Sequence, residues 1–267
     1  MIKSLEKAFE ILDYLSNFSD GCSLANISAH FSLPKSTAQG LLKTMAEFGY
    51  VSQSVDRGDY KIGPAFLIIG SKIATGRSFK EVARPFLKKL AYTFGKTTHL
   101  AVLYGDYVFY IDKQEGGSTV SFLSETGVGN VLPVFCTGLG KAILAYLPEN
   151  EIEEYISRVE FVPYSEYTIS DKTKFKEHLA LIRKQGYATF NSEFTTCGAQ
   201  CIAAPIFDDT NQVCAAINIS SYNPNIRPEN VVFNSEEILA VCEAARSIST
   251  ELGFSGKYSY VIPDLNK

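Results

Sequence analysis

The sequence predicts an α+β chain in which a small winged helix–turn–helix unit precedes a larger domain built on one antiparallel sheet. Three observations lead there. Apolar residues recur at helical spacing through the first 49 positions, two short strands around a turn follow them, and from Thr98 the apolar period drops to two. A chain of 267 residues has room for two domains.

The elements follow in order. Ser4 stands where it can cap a first helix, with Leu5, Ala8, Phe9, Leu12 and Leu15 as its inward stripe. The run Asn17-Phe18-Ser19-Asp20-Gly21 breaks it, and Ser23 caps a short second helix whose Leu24, Ile27 and Phe31 point inward. Ser32-Leu33-Pro34 then turns the chain into a third helix. Here Ala38, Leu41, Leu42 and Met45 fall at i, i+3, i+4 and i+7, while Ser36, Gln39, Gly40 and Lys43 repeat those offsets on the opposite side. A helix showing solvent a row of small, polar and basic groups suits a DNA groove. Taken alone, the same pattern also describes an ordinary amphipathic surface helix. Its flanks decide: Tyr50–Gln53 and Tyr60–Ile62 read as strands around Asp56-Arg57-Gly58-Asp59, completing helix, helix–turn–helix and hairpin within about 63 residues.

Gly63-Pro64 closes that unit, and Ala65 to Thr75 reads as a helix that Phe66, Leu67, Ile68 and Ile69 make apolar nearly all round. Such a helix needs a partner, either a second copy of itself or the domain that follows. The expected division is therefore 1–64 for DNA binding, 65–77 as a linking and dimerising helix, 78–255 as a second domain and 256–267 as a tail. In the second domain Ser78 to Gly95 reads as a helix containing Pro85. Strands are expected from Thr98 to Tyr104, Tyr107 to Ile111, Ser118 to Leu123, Tyr187 to Ser192, Cys201 to Phe207 and Val213 to Ser220. Helices are expected from Thr137 to Leu147, Pro148 to Ser157, Asp171 to Lys184 and Glu229 to Leu252.

Composition narrows the function classes. Hydrophobic residues make up 46% of the chain, and no apolar run reaches the roughly 18 residues of a membrane span. The start of the sequence shows no signal-peptide pattern, and six cysteines are too sparse for a disulfide framework, so a reducing cytoplasm is the expected compartment. Cys197 and Cys201 have no His or second Cys pair beside them, and no metal or cofactor is expected. His30, His99 and His178 are scattered, with no nucleophile-elbow, dinucleotide or phosphate-loop motif, so no catalytic residue is expected either. A cysteine-dependent enzyme working through Cys136 or Cys201 beside His99 is the remaining catalytic alternative. Net charge is −4, and the first 65 residues balance six bases against seven acids, so any DNA-facing surface is local.

Seven ordered blocks carry a family resemblance: Ser4-Leu5-Glu6-Lys7-Ala8, Leu33-Pro34-Lys35-Ser36-Thr37, Tyr60-Lys61-Ile62-Gly63-Pro64, Glu81-Val82-Ala83-Arg84-Pro85, His99-Leu100-Ala101-Val102, Cys136-Thr137-Gly138-Leu139-Gly140-Lys141-Ala142 and Gly198-Ala199-Gln200-Cys201-Ile202-Ala203-Ala204-Pro205. Over residues 3 to 253 the chain resembles the IclR family of bacterial transcription regulators. The resemblance implies a winged helix, a linker helix and a GAF-like effector domain, assembled as a homodimer or a dimer of dimers. It also implies binding to a palindromic operator and repression or activation modulated by a small metabolite. Gly40 departs from the family, which often carries a basic residue there.

The residues expected on DNA are Lys35, Ser36, Thr37, Gln39, Gly40 and Lys43 of the third helix and Arg57 at the wing tip. Hydroxyls and free N–H groups in a first helical turn meet phosphate, Gln bonds adenine bidentately, and Lys takes phosphate or guanine. The expected effector site opens with Cys136, Thr137, Gly138 and Gly140, where two glycines lead into a helix N-terminus. By resemblance it is closed by Asn191, Glu193, Gly198, Ala199, Cys201 and Ser220. A small carboxylate is the expected ligand, although Asn191, standing where the family often has an acid, leaves room for a neutral or hydroxylated one. The plainer alternative has Cys136, Cys201 and Ser220 filling a tight core. A metabolite sensor that no longer grips DNA is the remaining alternative outside catalysis.

Overall fold

The computed structural model describes residues 2–54, 58–73, 79–117, 126–194, 198–223, 225 and 227–263, with side chains of the fourth helix described through residue 69. The chain divides into two units, Met1–Ser78 and Phe79–Lys267.

In the first unit, α1 (Lys3–Ser16), α2 (Leu24–His30) and α3 (Lys35–Glu47) precede a two-stranded sheet of β1 (Val51–Gln53) and β2 (Tyr60–Ile62), with Val51 opposite Ile62. Ser23 caps α2 as expected, its side chain accepting the Asn26 N–H. Ser4 does not cap α1. The helix starts two residues earlier, at Lys3, with Ile2 in the cap position and no side-chain bond there. The inward stripe is also rotated from the expected one: Ile11 and Leu15 are fully buried, whereas Leu5 and Phe9 are 51% and 59% exposed. The core of this unit (Ile11, Leu15, Cys22, Ile27, Leu42, Met45, Val51 and Tyr60) is too small to reach the first turns of α1. Beyond Gly63-Pro64, α4 (Ala65–Ile73) leaves Phe66, Leu67 and Ile69 exposed, Leu67 by 78%.

The second unit is one six-stranded antiparallel sheet with helices on both faces. Its elements are α5 (Phe79–Phe94), β3 (Thr97–Tyr104), β4 (Tyr107–Gln114), β5 (Val131–Pro133), α6 (Gly138–Leu144), α7 (Glu149–Arg158), α8 (Lys172–Gln185), β6 (Ala188–Asn191), β7 (Ala199–Phe207), β8 (Val213–Tyr222) and α9 (Ser235–Glu251), with strand order β5-β4-β3-β8-β7-β6. The expected strand at Ser118 to Leu123 lies outside the described residues; the described edge strand beside β4 is β5. The last helix begins at Ser235 instead of Glu229, because Asn234 caps it by accepting the Glu236 N–H and a separate single turn occupies Pro228–Asn230.

Period-two alternation assigns each strand residue to a face. Ala101, Val108, Tyr110, Ala203 and Ala216 pack with α6, α7 and α8 in one core. Leu100, Ile202, Ala204, Ile217 and Ile219 pack with α5 and α9 in the other. The register of β3 on β4 shifts between Leu100 and Ala101, so that Leu100 pairs with Asp112 but Ala101 with Tyr110. This bulge reverses the facing of β4 along its length. Asp112 thereby turns to α5, where its Oδ2 accepts from Arg84 Nε at 2.9 Å, while Tyr110 turns to the opposite face.

Within the expected tail, residues 258 to 262 dock on the second unit. Tyr258 Oη donates to Pro205 O at 2.6 Å, Val261 N–H to Gln185 O at 2.8 Å, and Tyr258, Tyr260 and Ile262 pack on the second core. Their alternating apolar spacing is what lets an extended segment cover that face.

Candidate functional site

The two units each present one candidate site. In the first, α3 buries Ala38, Leu42 and Met45 and exposes Lys35, Ser36, Thr37, Gln39, Gly40 and Lys43. The exposed set therefore lies on the surface opposite the unit's core, as the interleaved offsets predict. Pro34 precedes the helix and no side chain caps it, so the backbone N–H groups of the first turn, beside Ser36 and Thr37, have no side-chain cap bond. Gly40 has no heavy atom within 4 Å of the position a Cβ would take, so the unit's own packing does not require glycine there. Arg57 lies outside the described residues.

In the second unit a cavity opens on the sheet face that carries Tyr110. About 470 Å³ of atom-free space lies within it, open solvent at its mouth included. Its floor is polar and comes from three adjacent strands: His99 of β3, Asn218 and Ser220 of β8, and Ala199, Gln200 and Cys201 of β7. Thr126, Thr137, Gly138 and Leu139 contribute from the segments outside the sheet, and Tyr110, Leu132, Phe190 and Phe194 complete an apolar wall. None of these described wall residues is charged at neutral pH.

Five of the ten expected effector residues line this cavity: Thr137, Gly138, Ala199, Cys201 and Ser220. The other five lie elsewhere, each for a definable reason. Cys136 is fully buried in the core below α6, where burial pushes its thiol well above the ordinary range. Gly140 is needed by packing, since a Cβ there would sit 2.5 Å from Val134 O. Glu193 is buried with its Oε1 2.5 Å from Lys141 Nζ. Asn191 ends β6 immediately after Phe190, so its side chain falls on the other side of the strand. Gly198 supports the entry to β7, its N–H donating to Ser192 Oγ at 3.0 Å.

The polar groups at the floor are ordered by their own bonds. Thr137 caps α6, accepting the Gly140 N–H at 3.2 Å, and its hydroxyl donates back to the carbonyls of Pro133 or Val134, each 3.2 Å away. Ser220 Oγ donates to Thr97 O at 3.2 Å. Asn218 Oδ1 lies 3.0 Å from both the backbone N and the ring Nδ1 of His99, and the His99 ring meets Tyr110 edge-on at 5.4 Å. Burial, partly offset by the Asn218 bond, pulls the His99 pKa down to about 4, so the ring is neutral at pH 7. Burial pushes the Cys201 thiol up to about 12. Burial thus disfavours the thiolate of both Cys136 and Cys201, the form a cysteine nucleophile needs.

Sequence reasoning missed His99, Tyr110, Thr126, Leu132, Leu139, Gln200, Asn218, Phe190 and Phe194. Asn218 was within reach, because it stands two residues before Ser220 on one strand and must share its face. Tyr110 was within reach as well, since it stands two residues after Val108 and shares its face; the bulge redirects Asp112.

Residues 4–54 match the IclR helix-turn-helix domain, and residues 72–250 match the bacterial transcriptional regulator IclR C-terminal domain. The HTH-type transcriptional repressor AllR of Klebsiella pneumoniae is 33% identical over 251 residues, covering 94% of this chain and 90% of that protein. The crystal structure of Thermotoga maritima IclR aligns with a TM-score of 0.73 at 31% identity, over 95% of this chain and all of that one. An IclR homologue of Microbacterium hydrocarbonoxydans, solved in complex with 4-hydroxybenzoate, shares the fold with a TM-score of 0.79 at 23% identity, over 93% of this chain and 98% of that one.

Proposed function

The chain belongs to the IclR family of bacterial transcriptional regulators, and from that premise we propose that α3 grips operator DNA while a small organic effector in the cavity of the second unit changes that grip. The observation that carries the reading is the cavity: a recess with polar groups on its floor and an apolar wall, in a chain whose other unit exposes a polar helix face. Ser36, Thr37 and the first-turn N–H groups take phosphate, Gln39 reads a base edge, and Lys35 and Lys43 add charge-assisted contacts. Arg57 serves as a wing contact. Because the local charge excess is small, specificity rests on two copies meeting two half-sites about 34–36 Å apart, or a multiple of that distance. The exposed apolar residues of α4 support a homodimer, with a dimer of dimers as the larger assembly, working in the cytoplasm.

The effector proposed from the sequence is a small carboxylate. Among the described wall residues no cationic side chain is present to meet it, and the Asn218 amide is the side-chain donor on that face, since the buried ammonium of Lys141 is already neutralised by Glu193. The effector acts only through a difference in affinity for two arrangements of the dimer.

The test is a titration of the protein against the promoter fragment upstream of its own gene, at two salt concentrations, with and without candidate metabolites. Specific binding that weakens with salt and shifts with one metabolite is the expected result. Metabolite binding with no specific DNA binding would instead support the sensor reading.

A further inference from the structure

Asn218 Oδ1 lies 3.0 Å from the backbone N of His99, and a backbone N–H only donates. The amide is therefore oriented with its oxygen toward His99, because the reverse orientation would set an NH₂ group against an N–H. The same oxygen lies 3.0 Å from the His99 ring, so Nδ1 must carry the proton and donate to it. A neutral ring protonated at Nδ1 leaves Nε2 as a bare lone pair. That atom is buried and has no hydrogen-bond partner among the described residues, although His99, 1% exposed, lines the cavity. A buried acceptor without a donor is costly, which marks it as a place a ligand fills.

Two neighbours share this polarity. The hydroxyl protons of Thr137 and Ser220 are given to backbone carbonyls, so both oxygens offer lone pairs to the cavity they line. We infer that the effector presents a hydroxyl or N–H group to His99 Nε2, making His99 a specificity-determining residue that reads a hydrogen-bond donor. The inference rests on the cavity being the effector site. A carboxylate oxygen at this position would face a lone pair. Converting Nε2 into a donor would require protonating a ring whose pKa burial holds near 4. Any acid group on the effector therefore lies toward the amide NH₂ of Asn218, and its hydroxyl toward His99.

The experiment compares matched probes on the full chain by calorimetry: glycolate against acetate, and 4-hydroxybenzoate against benzoate. At least one hydroxylated member should bind roughly 10-fold or more tightly than its deoxy partner. His99→Phe should erase that difference, and His99→Gln should retain part of it. On the wild-type protein with ¹⁵N-labelled histidine, the Nε2 resonance should start as a free acceptor and move on binding, while the Nδ1–H remains. This reading survives even if the His99 variants fail to fold. Equal binding of both members of every pair, binding of none, or an unmoved Nε2 resonance would overturn the inference. A control with Ala199→Leu, which narrows the cavity, separates the two readings. If it abolishes binding that does not discriminate hydroxyls, the effector site stands and only the role of His99 falls. If binding persists unchanged, the cavity itself is the wrong place.

Discussion

Lys141 Nζ and Glu193 Oε1 meet at 2.5 Å inside the second unit, with Lys141 fully buried and Glu193 7% exposed. The ammonium also donates to Thr189 O at 3.2 Å. Lys141 stands on the helix that opens at the cavity, and Glu193 on the segment between two of its aromatic wall residues, Phe190 and Phe194. The pair thus fastens the helix to the segment that closes the cavity. Thr168 Oγ1 holds that segment from the other side, donating to Glu193 O at 2.6 Å.

Lys141→Met leaves a buried carboxylate with no counter-charge. It should destabilise the second unit by about 3–5 kcal/mol, read by urea unfolding. The double variant Lys141→Met/Glu193→Leu should recover most of that loss, because neither charge is then stranded. A double variant no more stable than the single one would show that the pair's geometry, and not its charge balance, is what the fold needs.

Two glycines should respond in opposite directions. Gly40→Ala meets open space on an exposed helix face and should stabilise the first unit by about 0.5–1 kcal/mol. Gly140→Ala drives a methyl group to within 2.5 Å of Val134 O and 2.7 Å of Val134 Cα. It should cost about 1–3 kcal/mol or more, because backbone cannot step aside. Thermal melts of the two variants beside the wild type decide both.

Gln39→Ala should lower specific operator affinity by about 1–3 kcal/mol and leave non-specific DNA binding nearly unchanged. Lys43→Ala should weaken both and flatten the salt dependence by about one contact. Gel-shift titrations at two salt concentrations on operator and scrambled fragments separate the two patterns. An unchanged operator affinity in Gln39→Ala would remove that residue from base reading.

Acid should destabilise the second unit through its buried rings. Burial lowers the pKa of His99 to about 4, in a setting that also holds Lys113 and Glu115. Burial, and then the charge of Lys141, lowers that of His178 to about 4 as well. Between about pH 6.5 and pH 4 the unfolded chain binds protons that the folded one refuses, so stability rises with pH in that window. Moving from pH 7 to pH 5 should cost on the order of 2 kcal/mol per ring, and His178→Leu should remove one ring's share. Urea titrations at the two pH values measure both, and an equal pH dependence in His178→Leu would exclude that ring.

The third helix was legible down to individual residues, because a single 3.6-residue rhythm decides both its buried and its exposed side. The hairpin of β3 and β4 and the cap at Ser23 were legible for the same reason: each depends on neighbours in sequence. What escaped depends on distant partners. Leu5 and Phe9 carry the periodicity of a buried stripe, yet the core they should meet does not extend to them. Glu193 reads as a ligand residue until Lys141, 52 positions away in sequence, is seen to claim it. Of the cavity, the mouth of α6 was readable from its glycines, whereas Ala199, Cys201 and Ser220 came from the family resemblance. The part contributed by His99 of β3 required knowing which strands lie side by side.

The bulge between Leu100 and Ala101 locks β4 between two commitments. On one side of it Asp112 is held by Arg84 under α5, and on the other Tyr110 stands in the cavity wall. A slip of β4 by one residue would reverse both, burying the carboxylate without its guanidinium and replacing the tyrosine with Ile111 or Phe109. Sliding is therefore closed to this sheet as a way of answering an occupied cavity.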